Sequence, residues 1–215
     1  MPRHQRSLPC TALVLCLFFI GSNLSLGQPL FLSVTNFGAR GDALAISASV
    51  ISNSPTITCA TNHFTSADVG KIVELFGAGA PTGPTNHEDL VATIVRVANA
   101  QTAILDRVCG LSTNEIGGLY GVNNAAAFQA CLAGCSGTNT VVDIPPGQYL
   151  LISPQALDPA YVMPNMFATY PAVTIQKGGV TFAGAGPERT ILLGCGAWQR
   201  KGEHAYRGSL SSGLI

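Results

Sequence analysis

The residues of this 215-residue chain best suited to acid–base chemistry are its eleven carboxylates. Cleaving a glycosidic bond takes two carboxyl groups facing one another across the sugar. Eliminating across a uronic acid takes a base, often beside Ca²⁺ held by acidic oxygens. Most of the carboxylates stand isolated: Asp42, Asp68, Glu74, Asp106, Glu115, Asp143, Asp158, Glu188 and Glu203. Only Glu88 and Asp89 are adjacent, beside His87, in a stretch that reads as a solvated loop with a metal site as the alternative. Asp143 lies in a strand pattern, pointing away from Val142 and Ile144. Asp42 follows Gly41 and is expected to close a turn. His63 and His204 show no partner in the sequence. The spacing therefore assigns no catalytic residue, no cofactor-binding residue and no metal ligand, and no cofactor is expected.

Other motifs fail on context. Gly184-Ala185-Gly186 lacks the third glycine of a dinucleotide fingerprint, and Pro187 with the strand-like Thr190–Leu193 stands where a helix should begin. Gly77-Ala78-Gly79 fails in the same way. Gly208-Ser209-Leu210-Ser211 is not a nucleophile elbow. No basic run exists to attract nucleic acid. Seven cysteines are present, two of them (Cys10 and Cys16) near the N-terminus. The absence of any C-x-x-C pair argues against a zinc site. Cys59 and Cys109 flank one segment and are the first choice for a disulfide. Cys131 and Cys135, one helical turn apart, read as small buried side chains.

The elements that position these residues are short. Hydrophobic residues make up 47% and charged ones 10%, which excludes a disordered chain, while 24 glycines and 13 prolines demand many turns. Residues 1–27 read as a secretory signal peptide: Arg3 and Arg6, a nine-residue apolar run from Ala12 to Ile20, then small residues before a cut at Gln28. Removing it leaves 9 basic against 11 acidic residues. Over residues 43–120, Thr56–Cys59, Lys71–Phe76, Ala92–Ala98 and Thr102–Val108 read as strands, with a hairpin turn at Ala98–Gln101. Residues 121–151 read as a helix capped by Asn123 or Asn124, stopped by Gly134 and Gly137, then a strand at Val141–Ile144 and a Pro145-Pro146-Gly147 corner. Phe128, Cys131, Leu132 and Cys135 form the helix's apolar stripe. Val173–Ile175, Val180–Phe182 and Thr190–Leu193 read as three more strands.

Four of these pieces, in this order, resemble the start of the pectate-lyase-like right-handed parallel β-helix domains, a group with rhamnogalacturonase-like and epimerase-like enzymes. They are Val34-Thr35-Asn36-Phe37-Gly38-Ala39-Arg40-Gly41-Asp42, the helix Ala125–Leu132, the strand and corner Val141–Tyr149, and Gly184-Ala185-Gly186-Pro187 with Thr190-Ile191-Leu192 behind it. Phe64-Thr65-Ser66-Ala67-Asp68-Val69-Gly70-Lys71 resembles an insert of some bacterial and phage-tail-associated members. The resemblance implies a mainly β fold: a family motif over 28–42, an inserted antiparallel β module over 43–120, and over 121–215 a capping helix with the first coils of a β-helix. It implies an exported protein, secreted, periplasmic or at the cell surface, with a polysaccharide as partner, no nucleic acid, and no stable membrane span once the leader is cut. Relatives hydrolyse, eliminate or epimerise acidic polysaccharides on later coils, and no catalytic residue carries over. About two coils fit, so a fragment without the catalytic part is expected. The alternative is a non-catalytic glycan-binding or surface, tail-spike-like structural module, for which Tyr161, Phe167, Tyr170 and Trp198 are the aromatic candidates. A small β-sandwich would suit residues 50–110 alone.

Overall fold

The computed structural model describes residues 28–81, 83–158 and 171–195. The candidate leader lies outside the described residues, as do Tyr161, Phe167, Tyr170, Trp198, Glu203 and His204. In chain order the elements are β1 (Leu30–Ser33), a 3-10 turn (Val34–Phe37), β2 (Leu44–Val50), β3 (Thr56–Cys59), a second 3-10 turn (Ser66–Asp68), β4 (Ile72–Leu75), β5 (Leu90–Asn99), β6 (Thr102–Leu105), β7 (Thr113–Gly121), α1 (Ala125–Ala133), β8 (Thr140–Ile144), β9 (Gly147–Ile152), the one-turn α2 (Pro154–Leu157), β10 (Val180–Gly184) and β11 (Thr190–Cys195).

Strands β2 to β7 close into an antiparallel barrel in the order β2-β3-β6-β5-β4-β7. Alternation drives it: Ile46, Ala48 and Val50, then Ile57 and Cys59, Val73 and Leu75, Ala92 and Ile94, and Ala103 and Leu105 all point into one core. A barrel this narrow is filled by its own side chains and has no free edge. The β5–β6 hairpin turns at Ala100-Gln101, where the Asn99 side-chain oxygen accepts the Gln101 N–H at 2.9 Å. β7 closes the barrel by pairing with both β2 and β4. Its central Gly118 is required there, because a Cβ would sit 2.3 Å from the Glu74 carbonyl oxygen.

This arrangement overturns the expected parallel β-helix. The described residues are organised by a closed six-stranded antiparallel barrel, and parallel strand pairing forms two small sheets, with isolated parallel bridges at Asp42–Gln148, Ser52–Cys109 and Asn123–Leu150. The two-residue turn between β5 and β6 fixes one antiparallel pair, and among the described residues none of the segments joining successive strands of residues 44–121 holds the helical crossover that usually links parallel neighbours. In the first small sheet β8 runs between β1 and β10, in register from Leu30, Thr140 and Val180 to Ser33, Asp143 and Ala183. In the second, β9 pairs with β11 from Gly147 and Thr190 to Ile152 and Cys195. The expected strand Val173–Ile175 does not form.

Helix α1 lays the stripe Phe128, Cys131, Leu132 and Cys135 against Val142, Ile144 and Tyr149. The rings of Phe128 and Tyr149 meet edge to face with centroids 5.8 Å apart. Burying a side chain such as Phe128 stabilises by about 1.5–3 kcal/mol. The two ends of this helix separate the candidates that the sequence offers. Asn124 occupies the cap position without a side-chain cap bond, and it is Asn123 Oδ1 that accepts the Ala125 N–H, at 3.1 Å. Gly134 follows the helix in a right-handed conformation (φ −72°), so only Gly137, at φ 84°, uses glycine's left-handed freedom.

Cys59 and Cys109 are both buried in the barrel core as free thiols, so the expected disulfide is not formed. Both serve as small apolar fillers, and burial pushes both thiols upward in pKa. Cys131 and Cys135 are also free and buried.

Candidate functional site

The greatest concentration of interacting polar side chains among the described residues lies where the barrel meets the parallel sheets. The chain enters the barrel at Asp42-Ala43 and leaves it at Gly121-Val122. Asp42 Oδ1 accepts the Val122 N–H at 3.1 Å, and the Ala43 N–H donates to the Gln148 carbonyl on β9 at 3.0 Å. The two backbones touch so closely that a Cβ on Gly121 would lie 2.8 Å from the Ala43 Cα.

Lys71 is the centre of this junction. Its ammonium lies 2.7 Å from Asp42 Oδ2 and 2.9 Å from Asp68 Oδ1. It also sits 5.6 Å from the centroid of the Tyr120 ring. Tyr120 donates its hydroxyl hydrogen to the His63 carbonyl at 2.9 Å and packs edge to face on Phe64. Thr65 and Asp68 close a reciprocal capping box on their 3-10 turn, the Thr65 N–H donating to Asp68 Oδ2 at 2.7 Å. Burial works against the charge on Asp68, but the hydrogen bonds from Lys71 and Thr65 and the Lys71 charge outweigh it and lower the carboxyl's pKa. Burial likewise opposes the Lys71 charge, while the two aspartates overcome it and raise the ammonium's pKa.

Asn123 and Asn124 form the second half of the junction. Asn124 is fully buried, accepts the Arg40 N–H at 2.7 Å, and donates to the carbonyls of Arg40, Val122 and Leu150. Asn123 Oδ1 accepts the Ile152 N–H at 3.0 Å, and its amide donates to the Ile152 carbonyl at 3.1 Å. Two adjacent amides thereby tie the barrel exit, the loop before the barrel and strand β9 together. Apolar contact reinforces this: Ile72 and Val91, outside the barrel, share a core with Ala43, Leu150 and Ile152.

The other acids do not converge. Asp89 Oδ1 accepts the Gly77 N–H at 2.6 Å, tying the two ends of the 77–89 loop, and Asp106 Oδ1 accepts the Thr93 N–H on β5 at 2.8 Å, tying the end of β6 to its neighbour. Glu88 lies beside Asp89 with its pKa raised by burial. Glu115 accepts a long hydrogen bond from Ser47. Glu74 is buried on β4. Asp143 is exposed on β8, on the face away from Val142 and Ile144. His63 has a partner that the sequence did not reveal, its ring nitrogen lying 2.7 Å from the Thr61 hydroxyl. Asp42, expected to close a local turn, instead binds groups 29 and 80 residues away. Among the described residues no group of three or more His, Cys, Asp or Glu is placed to hold a metal ion. None of the described helices is long and apolar enough to cross a membrane.

Fold and junction define a mainly β module in which a closed barrel is clamped to a pair of parallel sheets. No protein-family model matches the chain, and no curated protein matches it, so the resemblance to the pectate-lyase-like group gains no support there. Among solved structures the chain is similar to the tailspike gp61 of Pseudomonas phage phi297, at 12% identity and a TM-score of 0.26 over 56% of this chain. The match spans a fifth of that tailspike's length, at 20%. At that score neither fold nor function transfers from one to the other.

Proposed function

We propose that this chain is a non-catalytic structural module of an exported surface assembly, in which the barrel is a collar fixed rigidly to the parallel sheets. The junction supports this reading. Lys71 pairs with both Asp42 and Asp68, Asp42 accepts the Val122 N–H at the seam, and Asp68 accepts the Thr65 N–H within its own turn. Groups engaged in this way serve first to position two parts of a protein. Among the described residues the carboxylates outside the junction are dispersed: Asp89 and Asp106 accept backbone N–H groups, Glu74 is buried on β4 and Asp143 is exposed on β8, whereas glycoside cleavage uses a facing pair.

The reading makes barrel and sheets one cooperative unit. Thermal unfolding followed by far-UV circular dichroism and by residue-resolved hydrogen exchange should therefore give a single transition for the two parts. Independent melting of β2–β7 ahead of β8–β11 would refute the rigid collar. Incubation of the chain with polygalacturonate, with and without Ca²⁺, should release neither new reducing ends nor unsaturated uronates. Turnover that an acid-to-amide substitution in this chain abolishes would overturn the non-catalytic reading.

A further inference from the structure

Phe31 is 66% exposed, although it sits within β1, the edge strand that pairs with β8 in the three-stranded sheet β1-β8-β10. The parallel register fixes what surrounds it. Partnered residues of in-register parallel strands point to the same face. Phe31, Val141 and Thr181 form one row across β1, β8 and β10, and Ser33, Asp143 and Ala183 form the next. The opposite face carries Leu32, Val142 and Phe182, which pack on α1. The outer face is thus a small platform: an aromatic ring at one edge, a half-buried Val141 in the centre, an exposed Thr181 at the far edge, and the exposed Asp143 carboxylate in the row above. Rows are separated by about 6.6 Å and strands by about 4.8 Å, so the platform has roughly the footprint of a disaccharide.

We infer that this face binds a neutral saccharide, the pyranose ring lying on Phe31 and its hydroxyls reaching Asp143 and Thr181. The inference rests on the non-catalytic reading above and gives that module a ligand. The chemistry selects the occupant. A pyranose presents C–H groups to an aromatic face, where weak contacts add up, and a ring of hydroxyl donors at its rim. Asp143 offers only acceptors and so matches donors, and Thr181 offers a donor and acceptors. The Ser33 hydroxyl is already bonded to Thr35 at 3.0 Å and keeps limited capacity. The six residues carry one negative and no positive charge, so a uronate or sulfated sugar meets repulsion and a neutral one does not. An apolar protein partner would bury the Asp143 carboxylate without a counter-charge, a costly arrangement. Sequence reading missed Phe31 because its strand is four residues long and precedes the family-like motif.

The test is titration of the full chain with cellohexaose as the neutral probe and oligogalacturonate as the anionic one, followed by aromatic-region NMR and calorimetry. Expected are saturable shifts of the Phe31 ring with cellohexaose, at least tenfold weaker binding in Phe31→Ala, and oligogalacturonate binding that is absent in the native chain and gained in Asp143→Asn. Circular dichroism confirms that both variants fold. No binding of cellohexaose, binding unchanged by Phe31→Ala, or tighter native binding of oligogalacturonate than of cellohexaose would each overturn the inference. Such failures leave the collar reading intact, because that reading is refuted by separate melting or by turnover.

Discussion

Replacing Lys71 with methionine keeps most of the stem but removes the charge that holds the junction. The side chain is 16% exposed, and its partners Asp42 and Asp68 are 29% and 8% exposed. At an effective dielectric of about 20, each pair near 3 Å is worth roughly 5 kcal/mol in Coulomb terms before desolvation is subtracted. Exposed pairs net about 0.2–1 kcal/mol, and breaking a buried pair costs about 3–5 kcal/mol because a charge is stranded. Asp68 is close to the buried limit but keeps its Thr65 hydrogen bonds, and Asp42 can rehydrate. The expected loss is therefore about 2–3 kcal/mol, read as a lower urea midpoint with an unchanged slope. The pH dependence gives a sharper signature. Asp68 has its pKa lowered in the fold, so its contribution is present above its unfolded pKa of 3.8 and fades as pH falls through the lower folded value. Lys71 has its pKa raised, so its contribution is complete below 10.5 and fades as pH climbs through the higher folded value. The native chain should thus hold a stability plateau between these limits, and Lys71→Met should lower the plateau and flatten both shoulders. A variant within about 0.5 kcal/mol of the native chain at pH 7, with its acid shoulder intact, would refute the view of Lys71 as the centre of the clamp.

Three further outcomes are expected. Asn124→Ala strands the Arg40 N–H and leaves buried carbonyls short of donors, at about 1–3 kcal/mol per group, so thermal scans should show the largest loss of any substitution proposed here, with Asn124→Asp intermediate because it still accepts from Arg40. Gly110→Ala places a Cβ 1.8 Å from the Gly79 carbonyl oxygen and should displace the 77–89 loop, visible as faster hydrogen exchange there, whereas Gly83→Ala meets nothing within 4 Å and should be silent. Iodoacetamide at pH 8 followed by peptide mapping should leave Cys59, Cys109, Cys131 and Cys135 unmodified in the folded chain, since all four are buried and the Cys131 thiol is pushed up to about 11, first by burial and then by Cys135.

The strands that the sequence announces are those with β-branched alternation, and β3 to β6 stand close to where that pattern puts them. The two that close the barrel were not legible. β2, Leu44-Ala-Ile-Ser-Ala-Ser-Val50, interleaves four Ala and Ser residues with its Leu, Ile and Val, and β7 carries Gly117-Gly118 at its centre, where the Glu74 carbonyl leaves no room for a side chain on Gly118. Closure selects against strand propensity at the very position that reveals it, so a module of antiparallel strands was readable and a barrel was not. The same reason undid the β-helix expectation: local signals at Val141–Ile144 and Thr190–Leu192 mark strands without counting how many lie parallel. At the junction, Lys71 and Asp68 stand in one sequence run and could be paired as i and i+3, but Asp42 joins them only through the fold. Asn124 was legible as a helix-start residue, while its bonds to Arg40, 84 residues away, were not.

The contact between Ala43 and Gly121 also bears on how the chain finds its shape. Strand β1 must reach β8 across more than a hundred residues, Leu30 pairing with Thr140. Once the barrel exists, its two ends are pinned side by side, and the stretch from Asp42 to Asn123 shrinks from about 80 residues to the equivalent of a tight loop of about four. The loop that β1 and β8 must close then falls from about 110 residues to about 34, which by the logarithmic scaling of loop closure removes roughly 1 kcal/mol of entropic cost from their pairing. The barrel is thus a folding shortcut as well as a collar, a preassembled clasp that turns distant partners into near neighbours.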